Sequence, residues 1–129
     1  MNYCHSRHIV HRDLKPENIM LEARPSSEDE LFSIKVIDYG LAALRTPGTT
    51  LCDEVGTTDF MSPQVVSNGK YTEKCDIWSL GVILYTLLVG YPPFKSKSEA
   101  KLAREIMKGE VCFDSDEWQE VSDDARDLV

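Results

Sequence analysis

The chain lacks a long hydrophobic run: its longest apolar stretch, LGVILYTLLVG at 80–90, is too short to span a bilayer. It also lacks an excess of positive charge. With 22 Asp and Glu against 14 Lys and Arg the net charge is -8, which argues against a nucleic-acid backbone or an anionic membrane as the main partner. Basic peptides and metal-bound anions fit better. The four cysteines, Cys4, Cys52, Cys75 and Cys112, include no close pair, so neither a zinc knuckle nor a disulfide framework is indicated. The start, MNYCHSRHIVHRD, is polar and lacks the apolar core of a signal peptide. A reducing, intracellular and cytoplasmic setting is therefore expected. Repeats and low-complexity tracts are missing as well. What remains, 129 residues at 42% hydrophobic and 28% charged, supports one modest core and so one domain or lobe.

The β-branched and apolar pairs predict short strands at Ile9-Val10 and Ile19 to Leu21, flanking a polar loop at 11–18 in which Pro16 bars a helix. Read locally, this is a hairpin with chemistry at its tip. Residues 22–31, EARPSSEDEL, read as an acidic surface loop, and Ser33 to Ile37 as a third strand. From Asp38 to Pro63 no period is sustained, and a loop of that length is usually functional. The stretch TEKCDIWSLGVILYTLLVG predicts a helix over about 74–89, with Thr72 as N-cap and Gly90 as its stop. Being apolar on nearly every side, it belongs in the middle of a core. Residues 97–108 predict an amphipathic helix carrying Leu102 and Ile106 on one face, and SDDARDLV begins another.

Chemistry concentrates in HIVHRDLKPENIM and IKVIDYG. Asp13 and Asn18 share the loop at 11–18, and Asp38 ends the third strand, so two carboxylates and an amide can converge. Oxygen ligands of this kind suit magnesium rather than zinc. Magnesium shares its remaining positions with waters and substrate phosphates, so Asn18 and Asp38 as ligands imply a nucleotide. Lys15 can then neutralise a transferred group, and Asp13 is left to orient a hydroxyl and take its proton. Gly40 lets the chain turn sharply after the metal ligand.

HRDLKPEN resembles the catalytic loop of eukaryotic protein kinases, DYG their magnesium-binding Asp-Phe-Gly, and DIWSLGVILY the buried central helix of their larger lobe. VGTTDFMSPQVV is similar to the end of the activation segment, and GYPPF to the segment after the central helix. The order and spacing match across essentially the whole chain. Lys15 within DLKPEN marks the serine/threonine form, and the acidic insert with the run from Glu105 to Val129 most resembles the calcium/calmodulin-dependent and calcium-dependent kinases.

This resemblance implies an α+β, protein-kinase-like fold: a mainly helical C-terminal lobe with a short β-hairpin catalytic region. The small lobe is missing, since no Gly-rich loop and no Val-Ala-Ile-Lys-like strand occurs. Residues 1–129 then form a partial kinase domain with an activation segment at 38–64. The implied activity is transfer of the ATP γ-phosphate to Ser or Thr hydroxyls of proteins, with ATP and Mg2+ as cofactors and no nucleic acid or membrane among its partners. By itself the half-domain is expected to be inactive, because misplacement alone costs ~10²-fold or more. A catalytically dead binding module acting through the lobe surface is the second reading, and a degenerate pseudokinase a third that the intact loop residues weaken.

Residue by residue, the resemblance assigns Asp13 as base, Lys15 as γ-phosphate contact, and Asn18 and Asp38 as magnesium ligands. Thr57 holds the base and shapes the floor for the substrate. Glu17 lies with the nucleotide-side residues and meets a basic residue upstream of the target hydroxyl. Arg12 pairs with a phosphate on the activation segment in kinases that use that switch, and Asp53 and Glu54 offer standing charge in its place. His11 becomes a packing residue and Asp76 ties the central helix to the loop backbone. Gln64 departs from the glutamate of the Ala-Pro-Glu motif, and Tyr39 replaces phenylalanine. His5, His8 and His11 stand three apart, yet strand and loop geometry scatters them away from a metal. Glu28 to Glu30 lack the spacing of a calcium loop. Cys52 has no basic neighbour in sequence and reads as an inert thiol.

Overall fold

A computed structural model describes residues 1–22 and 32–129. The surface loop expected at 22–31 lies, apart from Glu22, outside the described residues, as does the Glu28 to Glu30 tract. In chain order come α1 (Asn2–His5), β1 (Ile9–Val10), β2 (Ile19–Leu21), β3 (Ile34–Val36) and β4 (Ala43–Leu44). Beyond them lie α2 (Pro63–Val66), α3 (Lys74–Val89), α4 (Glu99–Lys108), α5 (Asp116–Gln119) and α6 (Asp123–Leu128). No helix among the described residues is long and apolar enough to cross a membrane.

The strands form two separate antiparallel pairs, β1 with β4 and β2 with β3. This corrects the hairpin expected at residues 9–21: β1 and β2 flank the polar loop but do not pair with each other. The reason is loop geometry. Pro16 opens a tight 3-10 turn at Pro16–Asn18, where its missing N–H costs nothing, and the turn sends β2 off toward β3. In the second ribbon Ile19 faces Val36 and Leu21 faces Ile34. In the first, Ile9 faces Leu44 and Val10 faces Ala43. β4 lies inside the stretch read as a continuous loop. Two residues are too few to show a period, and the partner that makes them a strand is remote in sequence.

α3 is the core element. It starts at Lys74 with Glu73, not Thr72, at the cap position; Thr72 Oγ1 accepts the Lys74 N–H at a long 3.4 Å. It ends at Gly90, which takes the left-handed conformation, φ +84°, that lets the Gly90 N–H return to Thr86 O at 2.8 Å. Three packed clusters surround it. Tyr85 and Val89 meet Trp118 of α5. Trp78 stacks on Phe94, which joins Leu102 and Ile106 of α4. Cys75 packs with Val10, Val65 and Tyr71. Burial of the helix is nonetheless one-sided: Ile77 is 54% and Leu87 74% exposed. A helix apolar all round was expected to be covered all round, and the described residues cover only part of it.

α4 is ordered by its apolar stripe, with Leu102 and Ile106 both buried, and packs against α2. Its polar remainder faces solvent, as a 3.6-residue period requires. At α6, Ser122 Oγ accepts the Ala125 N–H, an N-cap that satisfies one orphan donor.

Candidate active site

The loop at 11–18 is fixed from below before any side chain reaches solvent. Asp76, in the first turn of α3 and 1% exposed, accepts the backbone N–H of His11 on Oδ2 and that of Arg12 on Oδ1, both at 2.9 Å. His5 Nε2 lies 2.8 Å from the same Oδ2. His11 is fully buried, its Nε2 is 3.0 Å from Ile37 O, and its ring meets the edge of Tyr39 at 4.8 Å between centroids. The tie forces Arg12 to φ +71°, a strained conformation for a residue with a side chain. Gly56 backs this strained point: a Cβ there would lie 2.5 Å from Arg12 O.

Above that base three side chains form a closed polar ring. Thr57 Oγ1 donates to Asp13 Oδ1 at 2.8 Å, Lys15 Nζ donates to Thr57 Oγ1 at 2.9 Å, and Lys15 Nζ stands 3.0 Å from Asp13 Oδ2. Asn18, buried at the end of the 3-10 turn, donates from Nδ2 to Asp13 O at 2.9 Å. Burial works to raise the Asp13 pKa, but the hydrogen bonds from Thr57 and Lys15 and the Lys15 charge outweigh it and hold the carboxyl below the usual aspartate range. Asp13 is thus ionised at neutral pH, with both oxygens oriented.

Asp38 approaches from the second ribbon. The ladder of β2 and β3 runs on by one bond, Ile37 N–H to Asn18 O at 2.9 Å, so Asp38 emerges beside the end of the catalytic loop. It takes φ +59°, and Gly40 N–H donates to its Oδ1 at 3.1 Å. An added Cβ on Gly40 would come to 3.0 Å from that oxygen, so the glycine allows the close approach. With Asn18 Nδ2 turned to Asp13, the amide oxygen of Asn18 is free to act as a ligand atom, and Asp38 could add a carboxylate. This all-oxygen pair fits magnesium, which takes few protein ligands and completes its shell with water and phosphate. Among the described residues no group of three or more His, Cys, Asp and Glu forms a metal site. His5 and His11 are engaged with Asp76 and Ile37 instead.

Arg12 reaches outward to the chain on both sides of β4. Its Nη1 donates to Asp53 Oδ2 at 2.8 Å and its Nε to Leu41 O at 2.6 Å. Arg45 ties the same region down, through Thr49 O at 2.9 Å and Glu73 Oε2 at 2.7 Å. Glu17 is exposed on the outer side of the 3-10 turn, and Gln64 and Cys52 are exposed too. The Tyr39 hydroxyl lies 3.6 Å from Cys4 Sγ. The sequence pointed to no role for Tyr71, and His5 drew notice only as a metal candidate set aside, yet both sit in this network, His5 on Asp76 and Tyr71 on Arg12 and Asp53. No spacing rule points to either, because their partners lie 71, 59 and 18 positions away.

A carboxylate locked by a lysine and a threonine, beside an amide and a second carboxylate on a neighbouring ribbon, is what phosphoryl transfer asks of a protein. The protein kinase domain family matches this chain over residues 1–129, and the chain belongs to that family. It is similar to calcium-dependent protein kinase 5 of Plasmodium falciparum, 47% identical over 127 residues, which is 98% of this chain and 22% of that protein. Calcium-dependent protein kinase 5 of Plasmodium berghei is 46% identical over the same shares. The chain therefore spans 22% of the length of each of these relatives.

Proposed function

We propose that this chain is the catalytic-loop portion of a protein serine/threonine kinase that transfers the ATP γ-phosphate to hydroxyls of protein substrates. The observation that carries this reading is the ring of Asp13, Lys15 and Thr57 with Asn18 bonded to it, and with Asp38 one residue beyond the backbone bond from Ile37 to Asn18. Asp13, held ionised, accepts the hydrogen bond of the incoming hydroxyl and takes its proton as the new O–P bond forms and the bond from the γ-phosphorus to the bridging oxygen breaks, ADP leaving with that oxygen. Lys15 offsets charge on the transferred group. Thr57 keeps the base from rotating and forms the floor on which the substrate chain rests. Asn18 and Asp38 would hold magnesium, which would supply charge neutralisation on the phosphates. Glu17, exposed beside the loop, favours a basic residue upstream of the target hydroxyl.

The Arg12–Asp53 pair supports an acid of this segment meeting Arg12 where a phosphate would otherwise stand. An Asp53→Ala, Glu54→Ala double variant of the intact protein is expected to lose about tenfold in kcat; unchanged kcat dismisses this role.

Transfer of labelled phosphate from ATP to a Ser-containing basic peptide tests the main reading. The intact protein from its source cells is expected to be active and its Asp13→Asn variant to fall by about 10²–10⁴-fold. An equally active Asp13→Asn variant removes Asp13 as base. The isolated chain is expected to be inactive. An immunoblot of source cells against GKYTEKCDIW comes first: a native product at the 14.6 kDa of this chain turns the search from phosphoryl transfer to binding partners.

A further inference from the structure

Tyr71 lies outside every sequence motif of the site, yet it touches the catalytic loop and the segment after β4 at once. It is 4% exposed. Its hydroxyl donates to Asp53 O at 2.8 Å and accepts from Arg12 Nη1 at 3.4 Å. Its own backbone exchanges both hydrogen bonds with Leu51, at 2.9 and 3.0 Å. The stretch from Leu51 to Asp53 is therefore held at both ends by one residue, through main chain at 51 and through the hydroxyl at 53.

The Asp53 carboxylate reaches Arg12 as well, but its side chain is 62% exposed, and an ion pair that open to water holds little by itself. The buried hydroxyl is the firmer of the two attachments, since a buried polar group without its partner is costly. Tyr71 also packs with Val10, Val65 and Cys75. Phenylalanine would serve that packing equally well, so the hydroxyl is what needs explaining.

We propose that Tyr71 is a positioning residue whose hydroxyl fixes Leu51–Asp53 on Arg12, delivers the Asp53 carboxylate to the guanidinium, and so steadies the backbone that carries Asp13. The ordering stands on geometry alone; its catalytic consequence rests on the phosphoryl-transfer reading.

The test compares the intact protein with its Tyr71→Phe, Asp53→Ala and doubly substituted variants, by amide hydrogen exchange and by peptide phosphorylation. Tyr71→Phe is expected to speed exchange over 51–55 by about five- to tenfold, while Asp53→Ala changes it by less than about twofold. The kcat of Tyr71→Phe is expected to fall about tenfold with KM for ATP unchanged, and the double variant to be no worse, since both residues act through one contact. Unchanged exchange in Tyr71→Phe overturns the proposal. So does faster exchange with full kcat, or losses that simply add. An intact protein that transfers no phosphate while Tyr71→Phe still loosens 51–55 refutes the kinase reading and leaves the ordering role established.

Discussion

Asp76 Oδ1 accepts the backbone N–H of Arg12 at 2.9 Å, and that bond makes the floor of the candidate site part of the buried central helix. Asp76→Ala orphans this N–H and that of His11 in a place water does not reach. The expected loss is about 2–6 kcal/mol of stability, from two buried donors at about 1–3 kcal/mol each. Asp76→Asn keeps one acceptor and is expected to lose less. Urea unfolding of the intact protein measures both, and an alanine variant within about 0.5 kcal/mol of wild type contradicts the account.

Gly56 makes a prediction of a different kind. Its φ is +118°, and a Cβ would stand 2.5 Å from the carbonyl oxygen of Arg12, a backbone atom that is itself strained. Gly56→Ala is expected to cost about 1–3 kcal/mol from conformation alone, with the clash in addition. Because relief of the clash moves Arg12 and hence Asp13, kcat is expected to fall about 10²-fold. Melting and peptide phosphorylation on one preparation check the pair. Loss of stability with full kcat disconnects Gly56 from the site.

Asp13 predicts a pH dependence. Its carboxyl is depressed in the folded protein, so its contribution to stability is complete above the unfolded aspartate value of about 3.9. That contribution is lost only as pH falls through the lower folded value. A carbon-detected titration of the intact protein is expected to find the Asp13 midpoint below that of an ordinary aspartate, and in Thr57→Ala the midpoint is expected to move up, because the hydroxyl that stabilises the anion is gone. An unmoved midpoint in Thr57→Ala removes the hydroxyl as a cause.

Leu87 and Leu128 are 74% and 75% exposed, with Ile77 at 54%. Apolar surface of this kind drives association. An expressed 1–129 chain is expected to aggregate, and Leu87→Lys to raise its monomeric fraction by light scattering. A monomeric, cooperatively melting wild-type chain counts against this.

Much of the fold was legible locally. Ile19 to Leu21 and the run to Ile37 are strands because β-branched and apolar residues sit between turn formers, and α4 is a helix because Leu102 and Ile106 fall on one face. The residues themselves suggested that Asp13, Asn18 and Asp38 converge, and the resemblance added Lys15 and Thr57; in the structure Lys15 and Thr57 bond the Asp13 carboxylate and Asn18 its backbone oxygen. Pairing was not legible. β1 finds β4 instead of β2, Tyr71 finds Leu51 and Asp53, and His5 finds Asp76, all through contacts that local pattern does not encode. The covering of α3 failed for another reason: an all-round apolar sequence states what a helix can bury, and its neighbours decide how much it does.

The two ribbons also set what kinds of change the site can absorb. Residues 34–44 run as one strap, sewn at 34–36 to β2 and at 43–44 to β1, so the strap is stitched to both ends of the catalytic loop. Asp38 rides in the unstitched middle, only a few residues from either seam. Its placement, one residue beyond the bond from Ile37 N–H to Asn18 O, is thus a matter of chain length between seams: one residue added or removed at 37–42 shifts the register of a ribbon or displaces the carboxylate, while side-chain exchanges there leave the strap's length untouched.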